Sequence, residues 1–93
     1  MFDKMKQLME MKKQADRIKR ELDGMTVEVD EGNGIRVEIT GSQNFRSIAI
    51  DESLLTLENK GKLEADLLRS ANAAITKSQQ MAAKQMASVM PGL

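Results

Sequence analysis

The sequence predicts an α+β fold: a long helix, a three-stranded antiparallel sheet and a second long helix, in one domain over residues 1–93. Three observations predict it. Apolar residues recur at steps of three and four near both ends. Between them, apolar and polar residues alternate over three short runs. Gly, Asn and Ser, the residues of tight turns, punctuate those runs. A chain of 93 residues has room for one small core. Aromatic residues are only 2%, against 41% hydrophobic overall, so that core must be aliphatic and rich in Met.

The first helix is expected from about Phe2 to Leu22. Leu8, Met11, Ala15, Ile18 and Leu22 fall on one narrow stripe, the a/d seam of a coiled coil. An amphipathic helix lying on a core also fits. The narrow stripe and its charged flanks favour a helix–helix seam. Asp23-Gly24 is a stop signal. Met25, Val27 and Val29 then alternate with Thr26, Glu28 and Asp30, which makes a first strand. Gly32-Asn33-Gly34 breaks it as a hairpin loop does. Ile35, Val37 and Ile39 alternate with Arg36, Glu38 and Thr40 in a second strand. Gly41-Ser42-Gln43-Asn44 is another turn, and a third strand runs from about Phe45 to Ile50, with Ile48 and Ile50 on its apolar side. The three strands read as a meander with one wet face and two edges needing protection.

Asp51 to Leu55 reads as a turn into a loop, and Gly61 is expected to interrupt any earlier helix. The second helix is expected from about Lys62 to Val89. Leu63, Leu67, Leu68, Ala71, Ala74, Ile75, Met81, Ala82, Met86 and Val89 give it a wide stripe of apolar and small residues. Pro91-Gly92 ends it. At 1.5 Å per residue, helices of about 30 and 40 Å outrun a sheet only about 20 Å long. The two helices are therefore expected to pair as a projecting arm. Leftover apolar surface and open strand edges argue for a homodimer through the sheets. Val27, Val29, Val37, Ile39, Ile48 and Ile50 are expected to form the sheet core and part of the dimer contact. In an antiparallel helix pair, Met1, Phe2, Met5 and Met9 would meet Met81, Met86 and Met90 at one Met-lined tip.

Charge is unevenly placed, although 14 basic and 14 acidic residues balance. No Asp or Glu follows Asp66, while Arg69, Lys77 and Lys84 do. Lys4, Lys6, Lys12, Lys13, Arg17, Lys19 and Arg20 outnumber the acids of the opening segment, and the middle of the chain is acidic. Lys6, Lys13 and Arg20 share the heptad position opposite the seam, about 10 Å apart. Arg17 broadens that line. Lys77 and Lys84 lie two turns apart on the second helix, with Arg69 roughly on the same side. Cations so arranged replace counterions around phosphates and hold a nucleic-acid backbone without reading sequence. A plain solvated face is the alternative, because Asp16 with Arg20 and Arg17 with Glu21 are spaced for salt bridges. Without Trp or Tyr to stack on bases, duplex contact is preferred to single-strand reading.

Other classes are set aside by what is missing. The chain has no Cys and no His, hence no ordinary zinc site and no nucleophile or base of those types. It has no glycine-rich phosphate loop. An enzyme is not expected, nor a cofactor, a metal or a small-molecule substrate. No apolar run approaches the roughly 20 residues that span a bilayer, so no membrane partner is expected. The opening Met1-Phe2-Asp3-Lys4 lacks the apolar stretch of a signal peptide, and the expected place is the cytoplasm.

The stretch Gly34-Ile35-Arg36-Val37-Glu38-Ile39-Thr40-Gly41, followed by Ile48-Ala49-Ile50-Asp51 and Ser53-Leu54-Leu55, resembles the YbaB/EbfC family of nucleoid-associated proteins. Leu67-Leu68-Arg69-Ser70-Ala71-Asn72-Ala73-Ala74, Met86-Ala87-Ser88-Val89 and the Met- and Gln-rich opening also look like it. The resemblance covers nearly the whole chain, through motifs that are structural rather than catalytic. One departure is Glu52, where many relatives carry Pro after the Asp. The resemblance implies a small bacterial cytoplasmic homodimer, with sheets joined at the centre and paired helices projecting like tweezers. It implies DNA binding and association with the nucleoid. It transfers no fixed set of binding residues. Lys6, Lys13, Arg17, Arg20, Lys77 and Lys84 are chosen from spacing alone. The expected function is non-enzymatic binding of double-stranded DNA, with an influence on nucleoid organisation and gene expression. The rival expectation is a protein-interaction or chaperone-like adaptor that grips partners with the Met-rich helical tip.

Overall fold

The computed structural model describes residues 2–89. Helix α1 spans Phe2–Gly24, strands β1, β2 and β3 span Thr26–Asp30, Ile35–Thr40 and Phe45–Ile50, and helix α2 spans Lys60–Val89. Met1, Met90 and the expected Pro91-Gly92 stop lie outside the described residues. The sheet order is β1-β2-β3 with both pairs antiparallel, the expected meander. Register sets Val29 opposite Val37 and Val37 opposite Ile48, so one face of the sheet is aliphatic throughout. A bulge after Glu38 pairs Ile39 with Phe45 and leaves Arg46 as the extra residue. Gly34 turns the β1–β2 loop at a φ of +85°, and a Cβ there would lie 2.8 Å from Leu54 Cδ1. Any residue with a Cβ is therefore strained by the backbone there, and Leu54 would have to shift to admit it.

Helix α2 covers the aliphatic face. Val29, Ile35, Val37, Ile39 and Ala74 are buried as one cluster, with Leu54, Leu63 and Leu67 packed against it. The line of α2 nearest the sheet is Asp66, Ser70, Ala74 and Ser78, all buried and spaced four apart. Small side chains at that spacing let helix and sheet approach closely. The sequence points to an apolar contact line and misses the two serines. Their hydroxyls are satisfied across the interface: Ser78 Oγ donates to the Thr40 carbonyl at 2.7 Å, and Asn33 Nδ2 donates to Ser70 Oγ at 3.4 Å. Gly61 does not break α2. It sits in the first turn, where backbone N–H groups lack helical partners in any case, and Leu63 N–H already donates to the Asn59 carbonyl.

Among the described residues, helix α1 is anchored only at its C-terminal end. Ile18 and Leu22 are buried, while Leu8 and Met11 of the same seam are each 65% exposed. The joint is close: Gly41 N–H donates to the carbonyls of Leu22 and Met25 at 3.0 and 3.1 Å. A Cβ on Gly41 would meet Leu22 backbone and side-chain atoms at 2.9–3.3 Å, so only glycine lets the turn dock there. Asp23 accepts from Ser42 Oγ, which is also hydrogen-bonded to Thr40 Oγ1, tying the helix end to the β2–β3 turn. The molecule is accordingly long and thin, 67 × 20 × 18 Å.

Two expectations change with this geometry. Val29, Val37 and Ile39 are buried under α2 within a single chain, so their side chains present no area to a partner. Val27 and Ile50 are half-buried, and Ile48 is 49% exposed. Among the described members of the two Met groups, Met9 and Met86 do not meet: with Glu21 beside Gln85, the neighbour of Met86, Met9 lies twelve residues, about 18 Å, further along α1.

Candidate nucleic-acid interface

The cations proposed from spacing sit on the two long helices, and all six are exposed. Lys13, Arg17 and Arg20 line one open hollow on α1 together with Glu21. Lys77 and Lys84 line a second hollow, where Met25, Val27 and Met81 form an apolar floor and Gln80, Gln85 and Ser88 complete the rim. One lining residue of each hollow is hydrogen-bonded to the other: Gln85 Nε2 donates to Glu21 Oε2 at 2.6 Å. Five of the six cations thus gather about the contact of α1 with α2. Lys6 lies two turns beyond Lys13 on the projecting half of α1.

Pairing decides whether such cations are available. Among the described residues the ion pairs are Lys60–Glu64, Lys62–Asp66 and Arg69–Asp66. None involves Lys6, Lys13, Arg17, Arg20, Lys77 or Lys84. The spacing of Asp16 with Arg20 invites a salt bridge, yet Arg20 Nε reaches the Asp16 backbone carbonyl instead, at 3.5 Å. Arg17 and Glu21 form no ion pair either, because Glu21 is turned to Gln85. Arg69, placed near the basic side by the sequence, is engaged by Asp66 at 3.5 Å. The sheet supplies the opposite sign. On the face turned away from α2, Glu28 lies directly across from Glu38. Like charges so placed disfavour an anion at that point of the sheet.

A family model described as the YbaB/EbfC DNA-binding family matches residues 1–93. The chain belongs to this family. A nucleoid-associated protein of Syntrophobacter fumaroxidans is 30% identical over 93 residues, covering 99% of this chain and 84% of that protein. One of Ruminiclostridium cellulolyticum is 28% identical over 90 residues, covering 96% and 78%. The crystal structure of the uncharacterized protein HP0035 from Helicobacter pylori superposes with a TM-score of 0.71 at 19% identity, over 89% of this chain and 98% of that one. At that identity the likeness is one of fold. It places the helix–sheet–helix order of this YbaB/EbfC chain in a solved architecture. No helix among the described residues is long and apolar enough to cross a membrane.

The acidity of Asp66 in this YbaB/EbfC chain is altered by its neighbours on α2. The hydrogen bond from Lys62 Nζ at 2.9 Å lowers its pKa below the ordinary carboxylate value; burial opposes this, and the Lys62 and Arg69 charges reinforce it. A lowered folded pKa stabilises the protein above the unfolded value of about 3.9, and that stability is lost as pH falls through the lower folded value. Unfolding by urea at a series of pH values should show an acid limb that Asp66→Asn flattens. Wild-type steepness in that variant would assign the limb to other carboxylates.

Proposed function

We propose that this chain is a non-enzymatic nucleoid-associated protein that binds double-stranded DNA as a homodimer, chiefly through its phosphates. Lys6, Lys13, Arg17, Arg20, Lys77 and Lys84 make those contacts. The protein works in the nucleoid of the cytoplasm, where it influences nucleoid organisation and gene expression. One observation carries the reading: no described carboxylate pairs with any of the six, although acids stand at pairing spacing in the sequence of α1. Unpaired exposed cations are free to replace the counterions condensed on DNA phosphates. Family membership and the names of the two relatives support the same conclusion.

The homodimer rests on unfinished surface. Phe45, Ile48, Leu67, Leu68 and Ala71 line an open groove of about 430 Å³ between β3 and α2, with Glu64 at its rim. Phe45 and Leu68 are 45% and 64% exposed there. A second copy across the β3 edge covers this groove and protects the edge at once. The helices of each protomer then project as an arm.

A salt titration tests the DNA reading. The six phosphate contacts of one protomer alone give a log–log slope of about −5, so affinity for duplex DNA should fall at least roughly a thousandfold between 50 and 200 mM salt. The exposed Met5, Leu8, Met9 and Met11 favour a second reading, a grip on apolar partner proteins. That grip would persist or strengthen as excluded salts are added. Duplex retention unaffected by salt would therefore reject phosphate binding.

A further inference from the structure

Glu21 stands at the centre of the cationic surface, and nothing in its local sequence explains why it leaves the cations alone. Arg17 lies four residues before it on α1, a spacing at which Arg and Glu commonly pair. The structure has no such pair. The Glu21 carboxylate instead accepts from the amide of Gln85, 64 residues away on α2. Among the described residues, Glu21 is also the only carboxylate lining either of the two basic hollows. We propose that Gln85 is a latch that holds the Glu21 carboxylate off Arg17 and so sets how strongly the surface attracts phosphate. The inference rests on the DNA reading above and assigns two opposed roles within it.

The roles follow from the charges. Held by Gln85, Glu21 still places one negative charge among Lys13, Arg17, Arg20 and Lys84, which weakens attraction for an incoming phosphate. Released, it pairs with Arg17 and withdraws that guanidinium as well. Gln85 is thus a positioning residue, and Glu21 the element that tunes affinity. A neutral amide is the suitable partner, because a Lys or Arg at position 85 would cancel the Glu21 charge instead of redirecting it.

The test is a mutant cycle read by duplex DNA affinity at low salt. E21Q retains an acceptor oxygen for Gln85 but loses the charge, and it should bind about threefold more tightly. Q85A frees the carboxylate to reach Arg17 and should bind about threefold more weakly. The double variant should match E21Q, since without the charge there is nothing to hold away. Equal weakening by Q85A in both backgrounds would mean that Gln85 merely joins the helices, and the latch would be wrong. Failure of E21Q to tighten binding would also overturn it. A second readout is independent of DNA. In Q85A the Arg17 Nε–Hε resonance should shift toward that of a salt-bridged guanidinium, and in the double variant it should not. If wild-type protein shows no salt-sensitive DNA binding, the functional reading fails while this resonance still decides the latch. An unmoved resonance in Q85A rejects it. Circular dichroism checks that each variant keeps its helices.

Discussion

Replacing Lys13, Arg17 and Arg20 together with Ala should lower affinity for duplex DNA by about a hundredfold or more at 0.1 M salt and reduce the salt slope by about three. The two effects belong together. Each lost phosphate contact is a lost counterion release, so the deficit should shrink as salt rises and wild type and variant should converge. A folding defect would give a different signature, a loss of active protein with an unchanged slope. The fold should survive, because all three side chains are exposed and, among the described residues, the only hydrogen bond they make is that of Arg20 to the Asp16 carbonyl. Surface replacements of this kind usually change stability by about 0.5 kcal/mol or less. Lys60→Ala is the matched control. It also removes one exposed positive charge from a long helix, but Lys60 is held by Glu64 at 2.7 Å. Binding by that variant should stay close to wild type. Loss of affinity in Lys60→Ala as large as in the triple variant would mean that net charge, not this surface, governs binding.

The elements were legible because each carries its own period. Val27 and Val29, Ile35 to Ile39, and the Ala-rich stretch after Leu63 signal strand, strand and helix without reference to anything distant. The strands Ile35–Thr40 and Phe45–Ile50 begin and end where turn chemistry predicts. What periodicity leaves open is which apolar residues one chain buries and which it leaves for another. Ile39 and Ile48 look alike in sequence, yet α2 lies over β1 and β2, so Ile39 is wholly buried and Ile48 half-exposed. Ser70 and Ser78 were hidden for a related reason. A hydroxyl signals surface unless its partner is known, and the partners Asn33 and Thr40 lie 37 and 38 residues away. At the candidate interface, spacing placed the cations but could not decide their pairing. Asp16 and Glu21 stand equally close in sequence to basic residues, and only the packing of α2 turns Glu21 toward Gln85.

The same division between buried and exposed apolar residues sets the second large effect. If the groove between β3 and α2 holds a second copy, Ile48→Glu with Leu68→Glu should raise the dimer dissociation constant by at least about a thousandfold. Both side chains are large, apolar and about half or more exposed in the single chain, so they have contact area to give. Fully burying such a side chain contributes on the order of 1.5–3 kcal/mol, roughly half of which remains to be gained at each, and a two-fold axis counts every replacement twice. A thousandfold change needs about 4 kcal/mol, within the roughly 3–7 kcal/mol this leaves, and charge adds to it. The substitutions also introduce four carboxylates per dimer beside Glu64, which already rims the groove. Like charges brought together without partners oppose closure further. Sedimentation equilibrium should therefore find monomer where wild type is dimer. Circular dichroism should remain native, because the buried cluster of Val29, Ile35, Val37, Ile39 and Ala74 is untouched. DNA affinity supplies the link to function. A dimer presents two sets of six cations on one rigid body, and a monomer presents one, so the salt slope should fall toward about −5 if both arms reach DNA in the wild type. A variant that stays dimeric would locate the partner surface elsewhere. A monomeric variant with undiminished affinity and slope would show that a single arm holds the duplex.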